Sequence, residues 1–192
     1  MENVEPPPFP RPKRKRPKEK SKKLQIKQKR DRQIVIKKPQ IRDTEEILDL
    51  INGYAASNLM LARGPQYLFE NIRDFVIAVD RNVPVYTIME TREPLHLVVA
   101  CGSLHVLWGD IAELRAIAIH ADYQQLGLAS KLVEFMKAEA KKLGIRRLCA
   151  FTLTEDFFKS LGFRRQKKKN CQLKSGVNSA DALNFLNVMR LG

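Results

Sequence analysis

The stretch from Glu113 to Ala129 (ELRAIAIHADYQQLGLA) gathers the residue types and spacings most able to do chemistry in this chain. It reads as an apolar strand, a short turn, a run of backbone N–H donors around Gly127, and the start of an amphipathic helix. A strand that feeds such a loop at a helix start suits a pyrophosphate, which the unpaired amides and the positive helix end attract. Gln124 opens that loop, and the amides of Gln125, Leu126, Gly127, Leu128, Ala129 and Ser130 are its candidate anion donors. Upstream, Glu113 stands in an otherwise apolar strand, where a carboxylate tends toward the raised pKa that a general base needs. Strict alternation puts Glu113, Arg115, Ile117 and Ile119 on one face, and a bulge would change that register. A structural Glu113–Arg115 pair at the sheet surface accounts for the same glutamate equally well. His120 starts the turn after the strand and reads as an ordinary exposed histidine; His96 and His105 read as strand residues.

The flanking periodicities supply the elements that must position this stretch. Ile34-Val35-Ile36 is a short β-branched strand that Ile41 extends past Pro39. Asp43 reads as a helix N-cap with Glu46 as its capping-box partner, and the helix runs through Ile47, Leu48, Leu50 and Ile51 to stop near Gly53. A second helical stretch carries Tyr67, Leu68 and Ile72. A strand follows at 74–79, then a turn, a strand at 85–89, a long strand at 95–107, a turn at 108–110 and the strand 111–119. After the loop, Leu128, Leu132, Phe135, Met136 and Leu143 form one apolar stripe. Lys131, Glu134, Lys137, Glu139, Lys141 and Lys142 occupy the other side, and Gly144 stands at the helix end. A buried strand at 148–153, a short helix at 156–161 closed by Gly162, and two strands at 163–173 and 182–191 complete the pattern. The expected fold class is α/β (α+β): a mixed, mostly antiparallel sheet of six or seven strands flanked by helices.

The charge is unevenly spread. Residues 1–40 hold fifteen Lys and Arg against Glu2, Glu5, Glu19 and Asp31, which is +11 of the chain's +14. Residues 1–32 are rich in Pro and Lys and too poor in large apolar side chains to offset their ordering entropy, so a disordered basic arm is expected there, ahead of a domain over 33–192. The arm suits contact with a polyanion electrostatically. Charge runs are usually solvated, however, and no aromatics interleave here to stack bases, which favours a solubilising extension. Cys101, Cys149 and Cys171 lack metal-type spacing, and the first two lie in apolar runs, as buried reduced thiols do. No metal is expected. No run approaches the roughly 20 apolar residues of a membrane span, and Pro6-Pro7-Pro8-Phe9-Pro10 leads into basic residues rather than the apolar core of a secretory signal. A cytoplasmic location without membrane contact is the expectation.

The spacing Gln124-x-x-Gly127-x-Ala129 resembles the acyl-CoA loop of the GNAT acetyltransferase superfamily, Gln/Arg-x-x-Gly-x-Gly/Ala. That resemblance implies acetyl-CoA as co-substrate. It gives the backbone of Ile117, Ala118 and Ile119 the role of holding the pantetheine arm and thioester, because the corresponding strand is splayed from its neighbour in that superfamily. It also makes Glu113 the catalytic base, by its distance upstream. Many members carry a tyrosine as general acid in a Phe-Tyr-x-x-x-Gly-Phe stretch. Here Phe157-Phe158-Lys159-Ser160-Leu161-Gly162-Phe163 has phenylalanine at the tyrosine position. Dimers are common in the superfamily, and no residue pattern in this chain demonstrates one.

Three further stretches narrow the resemblance: Asn58-Leu59-Met60-Leu61-Ala62-Arg63, Glu70-Asn71-Ile72-Arg73-Asp74-Phe75-Val76, and Cys101 to Trp108 running into Ala112-Glu113-Leu114-Arg115. In order, over about residues 34–165, they look like the short stand-alone bacterial N-acetylglutamate synthases. The resemblance implies transfer of acetyl to L-glutamate, the first step of arginine biosynthesis. A dicarboxylic substrate needs cationic donors, and arginine meets a carboxylate with a two-pronged fork. Arg63 matches that family's arginine beside the acceptor site, Arg115 is a second candidate, and Arg73 is expected to tie Asp74 or Glu70. Ala62 and Gly64 depart from the family's usual Pro and Ser, an arginine of the larger relatives is absent near Leu153-Thr154, and the stretch after Lys167 shows little resemblance. Another amino acid, an amine or a protein remains an alternative acceptor, and a non-catalytic acetyl-CoA sensor is the alternative to an enzyme.

Overall fold

The computed structural model describes residues 32–85, 95–151, 155–167 and 185–191. Residues 1–31 of the basic arm, Cys171, residues 86–89 of the expected strand at 85–89, residues 168–173 and 182–184 of the last two expected strands, and the stretch Thr152–Thr154 lie outside them. Seven strands form one sheet in the order β1-β2-β3-β4-β5-β7-β6. They are β1 (Ile34–Lys37), β2 (Phe75–Val85), β3 (Leu95–Trp108), β4 (Ile111–Ile119), β5 (Arg147–Ala150), β6 (Arg164–Lys167) and β7 (Phe185–Arg190). Every neighbouring pair is antiparallel except β4 and β5, which are parallel because the connection between them crosses over through a helix. The helices are α1 (Thr44–Ala56), α2 (Pro65–Asn71), α3 (Leu128–Lys142) and α4 (Glu155–Ser160).

Strand alternation sorts the apolar side chains into two layers. Phe75, Ile77 and Val79 of β2 face Ile47, Leu48 and Ile51 of α1 and Leu68 of α2, whereas Val76 and Ala78 face Leu132, Val133, Met136 and Ala140 of α3. Each fully buried Ile or Leu contributes about 1.5–3 kcal/mol, so these two faces fix both helix layers on the sheet that carries the site. No helix among the described residues is long and apolar enough to cross a membrane.

Four local expectations change. Asp43 does not cap α1: its carboxylate accepts from the Gln40 amide at 2.8 Å and pairs with Lys37 at 3.2 Å, closing the preceding 3-10 turn (Ile41–Asp43). Glu46 accepts instead from the Val98 amide at 2.6 Å, tying α1 to β3. The helix continues through Gly53 to Ala56, since roughly 1 kcal/mol of glycine penalty is outweighed by the packing of Tyr54 beyond it. β2 runs unbroken to Val85, with a register shift between Asp80 and Pro84 where a turn was expected. Finally, Leu143 lies outside the α3 stripe, exposed at the helix C-cap just before Gly144 (φ +76°).

Candidate active site

The centre of β4 departs from regular strand geometry. Ser103 pairs with Arg115 and Cys101 with Ala118, so Ala116 and Ile117 stand opposite Gly102 alone, which is a β-bulge. Ala116 has φ +50°, a conformation that costs a non-glycine residue about 1–2 kcal/mol. Gly102 makes room for it: a Cβ there would meet Met136 Cε at 3.2 Å and Ile117 Cγ1 at 3.4 Å. The bulge overturns the single face drawn by strict alternation. Ile117 and Ile119 turn to the α3 layer with Leu114, while Glu113 and Arg115 stay on the other side. Strain held in the middle of a strand points to a site.

Pairing between β4 and β5 covers only Ile111 to Glu113 and Arg147 to Cys149. Past that point the strands part, and a cleft of about 1010 Å³ opens along β4. Its walls include Arg63 from the loop before α2, then Glu113, Arg115, Ala116, Ile117 and Ile119. At the far end stand Gln124, Gln125, Gly127, Leu128, Ala129 and Ser130, and α4 contributes Phe157 and Phe158. Eleven of the thirteen expected site residues therefore line one cavity, Arg63, Glu113 and Arg115 among them, and two of the backbone candidates do not. Those two are Ala118, fully buried in the core, and Leu126, half-buried against the α3 layer. Phe158 is also buried, in edge-to-face contact with Phe163, so the position at which relatives of this pattern carry tyrosine is filled by core.

Glu113 is 4% exposed and receives the Arg115 Nε donor at 2.6 Å. Burial pushes its carboxyl above the ordinary value, and the Arg115 guanidinium beside it pulls it part of the way back, with smaller effects from His105 and Arg63. The result is a desolvated carboxyl held against one guanidinium. The structural pair foreseen at the sheet surface thus exists, but inside the cleft wall. His105 lies directly opposite Glu113 on β3 and hydrogen-bonds Asp74 at 2.8 Å, a placement its strand position alone did not reveal. Asp74 is thereby engaged, and Glu70 accepts from Gln66 at 2.8 Å, so the partners expected for Arg73 are taken elsewhere; the Arg73 carbonyl accepts from Lys38.

The loop entering α3 is shaped by two left-handed residues, Gln125 (φ +61°) and Gly127 (φ +70°), the latter at the helix N-cap. Both residues line the cleft end, and a helix entry with first-turn amides outside the helix ladder is a geometry that receives anions. No atom lies within 4 Å of a Cβ built on Gly127, so glycine is required there by its φ rather than by crowding. Two tyrosines fasten the loop. Tyr54 donates to the Ile119 carbonyl at 2.7 Å and accepts from Gln124 Nε2 at 3.1 Å. Tyr123 donates to the buried Asp80 carboxylate at 2.9 Å. His120 caps the short 3-10 turn after β4 by accepting from the Asp122 amide, which is a structural task. Cys101 and Cys149 are buried thiols, and burial raises Cys101 to about 12.

A bulged strand that parts from its parallel neighbour, a helix entry with a left-handed N-cap and a buried carboxylate thus border one cleft. Residues 47–163 match the Acetyltransferase (GNAT) family, and the chain belongs to it. It is an acetyltransferase with acetyl-CoA as co-substrate. The amino-acid acetyltransferase of Mycobacterium tuberculosis is 28% identical over 134 residues, covering 70% of each chain. That of Azotobacter vinelandii is 27% identical over 131 residues, and the chain spans 27% of that longer relative. Among solved structures, the N-acetylglutamate synthase of Neisseria gonorrhoeae with coenzyme A and N-acetyl-glutamate aligns over 83% of this chain and 35% of its own, with a TM-score of 0.67 and 21% identity, a likeness of fold. Among the described residues no group of three or more His, Cys, Asp and Glu is placed to hold a metal.

Proposed function

We propose that the protein transfers the acetyl group of acetyl-CoA to the amino group of L-glutamate, giving N-acetyl-L-glutamate and CoA, the first step of arginine biosynthesis. The observation that carries this reading is that Arg63, Arg115 and the buried Glu113, the last two hydrogen-bonded to each other, line the one cleft that ends at the Gln124–Ser130 loop. A substrate with two carboxylates and an ammonium fits that set of charges. The amino-acid acetyltransferases among the relatives support an amino acid as acceptor.

In this reading the amides from Gln125 to Ser130 hold the pyrophosphate at the start of α3, and Gln124 fixes the loop. The main chain of Ile117, Ala118 and Ile119 lies along the pantetheine arm and donates to the thioester carbonyl, in the gap where β5 no longer pairs. Bound acetyl-CoA supplies an acetyl carbon activated by its thioester. Glu113 takes a proton from the acceptor ammonium, the amine nitrogen bonds to the acetyl carbon, the carbon–sulfur bond breaks to release CoA as the thiolate, and the nitrogen gives up its second proton to solvent as the amide forms. Arg115 orients Glu113 and helps hold the α-carboxylate, while Arg63 takes the side-chain carboxylate. A thiolate whose conjugate thiol titrates near ~8.5 leaves without an acid, which suits the phenylalanine at 158. Residues 33–192 make up the catalytic domain and the basic arm stands outside the chemistry. Buried reduced Cys101 and Cys149 fit a cytoplasmic setting.

The test is product identification. Purified protein with acetyl-CoA and L-glutamate should form N-acetyl-L-glutamate in step with CoA, measured by mass spectrometry. CoA release with no acetylated glutamate would overturn the proposal.

A further inference from the structure

Resting on the acceptor reading just given, we infer that Asn52 is a positioning residue that sets specificity for a dicarboxylic acceptor by fixing Arg63. Arg63 lies in the segment between α1 and α2, where no strand ladder or helix holds the backbone. Asn52, in the last half of α1, supplies the missing pairing. Its Oδ1 accepts from the Arg63 amide at 2.9 Å, and its Nδ2 donates to the Arg63 carbonyl at 3.0 Å. The side-chain amide thus engages both backbone groups of one residue, as a neighbouring strand would.

The other end of Arg63 is held as well. Its guanidinium carbon lies 4.2 Å from the centroid of the Tyr67 ring on α2. A planar cation on an aromatic face is fixed in tilt while its N–H edge is left to meet a carboxylate. Backbone and head group are therefore ordered before substrate arrives, which lowers the rotamer entropy that an arginine otherwise loses on binding. Asparagine is a poorer helix former than alanine, so its place in α1 is accounted for by this long-range contact and not by the helix.

A fold-maintaining asparagine and a positioning asparagine differ in what they change. If Asn52 acts through Arg63, Asn52→Ala raises the KM for L-glutamate about tenfold, because a displaced binding group loses affinity steeply. The kcat and the acetyl-CoA KM stay within about twofold of wild type, and the preference for glutamate over glutamine falls by a similar factor. In an Arg63→Ala background, Asn52→Ala then adds no further rise, since the group it positions is gone. Steady-state kinetics of wild type, both single variants and the double variant, with both acceptors, make the test. An equal rise in glutamate KM with and without Arg63, or an Asn52→Ala enzyme that keeps wild-type KM and preference while Arg63→Ala loses them, would overturn the inference and leave the acceptor reading standing. An Arg63→Ala enzyme with unaltered glutamate KM would bring down the acceptor reading, and the inference with it.

Discussion

Replacing Glu113 by glutamine removes the proposed base while keeping nearly everything around it. The amide is the same size, and its oxygen remains available to the Arg115 Nε donor that now lies 2.6 Å from Oε2. A positioned general base is worth about 10²–10⁴-fold in rate. The lower part of that range applies, because Arg115 occupies one carboxylate oxygen and lowers the basicity that burial raises. We expect kcat/KM for glutamate to fall about 100- to 1000-fold at neutral pH. Affinity for acetyl-CoA should stay within about twofold, since a change to glutamine leaves the phosphate-binding amides untouched. The pH profile carries the sign. Burial holds the Glu113 carboxyl above the ordinary value of 4.5, and only its ionised form accepts a proton, so the wild-type rate rises with pH through that elevated value. In Glu113→Gln that limb disappears, and the residual rate follows the fraction of acceptor present as free amine. Arg115→Met removes a cation that lowers the carboxyl, so the limb moves to higher pH. For stability the same elevation means that Glu113 favours the fold at pH values below the unfolded carboxylate's, and the contribution is lost as pH rises through the folded value. The assay is CoA thiol release over a pH series that runs upward from the ordinary carboxyl value of 4.5. A Glu113→Gln enzyme within about threefold of wild type, with its acidic limb intact, would refute the assignment of the base.

Three other perturbations test the supports of the cleft. Gly127→Ala forces a Cβ into φ +70° with nothing nearby to clash, and should weaken acetyl-CoA binding about fivefold or more by calorimetry, the equivalent of ~1 kcal/mol of backbone strain. Tyr54→Phe cuts the ties to the Ile119 carbonyl and Gln124, and should raise the acetyl-CoA KM about fivefold with the glutamate KM little changed, from ~1 kcal/mol of lost hydrogen bonding. Tyr123→Phe strips a donor from the buried Asp80 carboxylate; a loss of about 1.5–3 kcal/mol should lower Tm by roughly 5–10 °C in a thermal melt.

The elements that frame the site were legible because their signals are local. The β4 boundaries, the helix entry at Leu128 and the glycine stops at 144 and 162 follow from apolar periodicity, turn chemistry and the φ that only glycine adopts cheaply. The bulge at Ala116 was not legible, because alanine carries no sequence mark of a left-handed conformation and the residue opposite it, Gly102, is brought there only by the register of β3 and β4. For the same reason His105 read as an ordinary strand residue, although register sets it opposite Glu113. Asp43 and Glu46 matched a capping pattern whose side chains found better partners outside the helix. Tyr54 was missed because a helix taken to end at Gly53 leaves it no rigid surface from which to reach Gln124, and Asn52 because its partner Arg63 stands in a segment with no periodic signal.

The acceptor is the centre of the account, and one comparison addresses it. Initial rates of CoA release from acetyl-CoA should be measured with L-glutamate, glutamine, aspartate, lysine, polyamines and short peptides at equal concentrations. The cleft's two guanidinium groups and single buried carboxylate predict that L-glutamate gives the highest kcat/KM, ahead of glutamine by about tenfold or more, the value of one charge-assisted hydrogen bond. Faster turnover of a cationic amine or a peptide than of glutamate would contradict it.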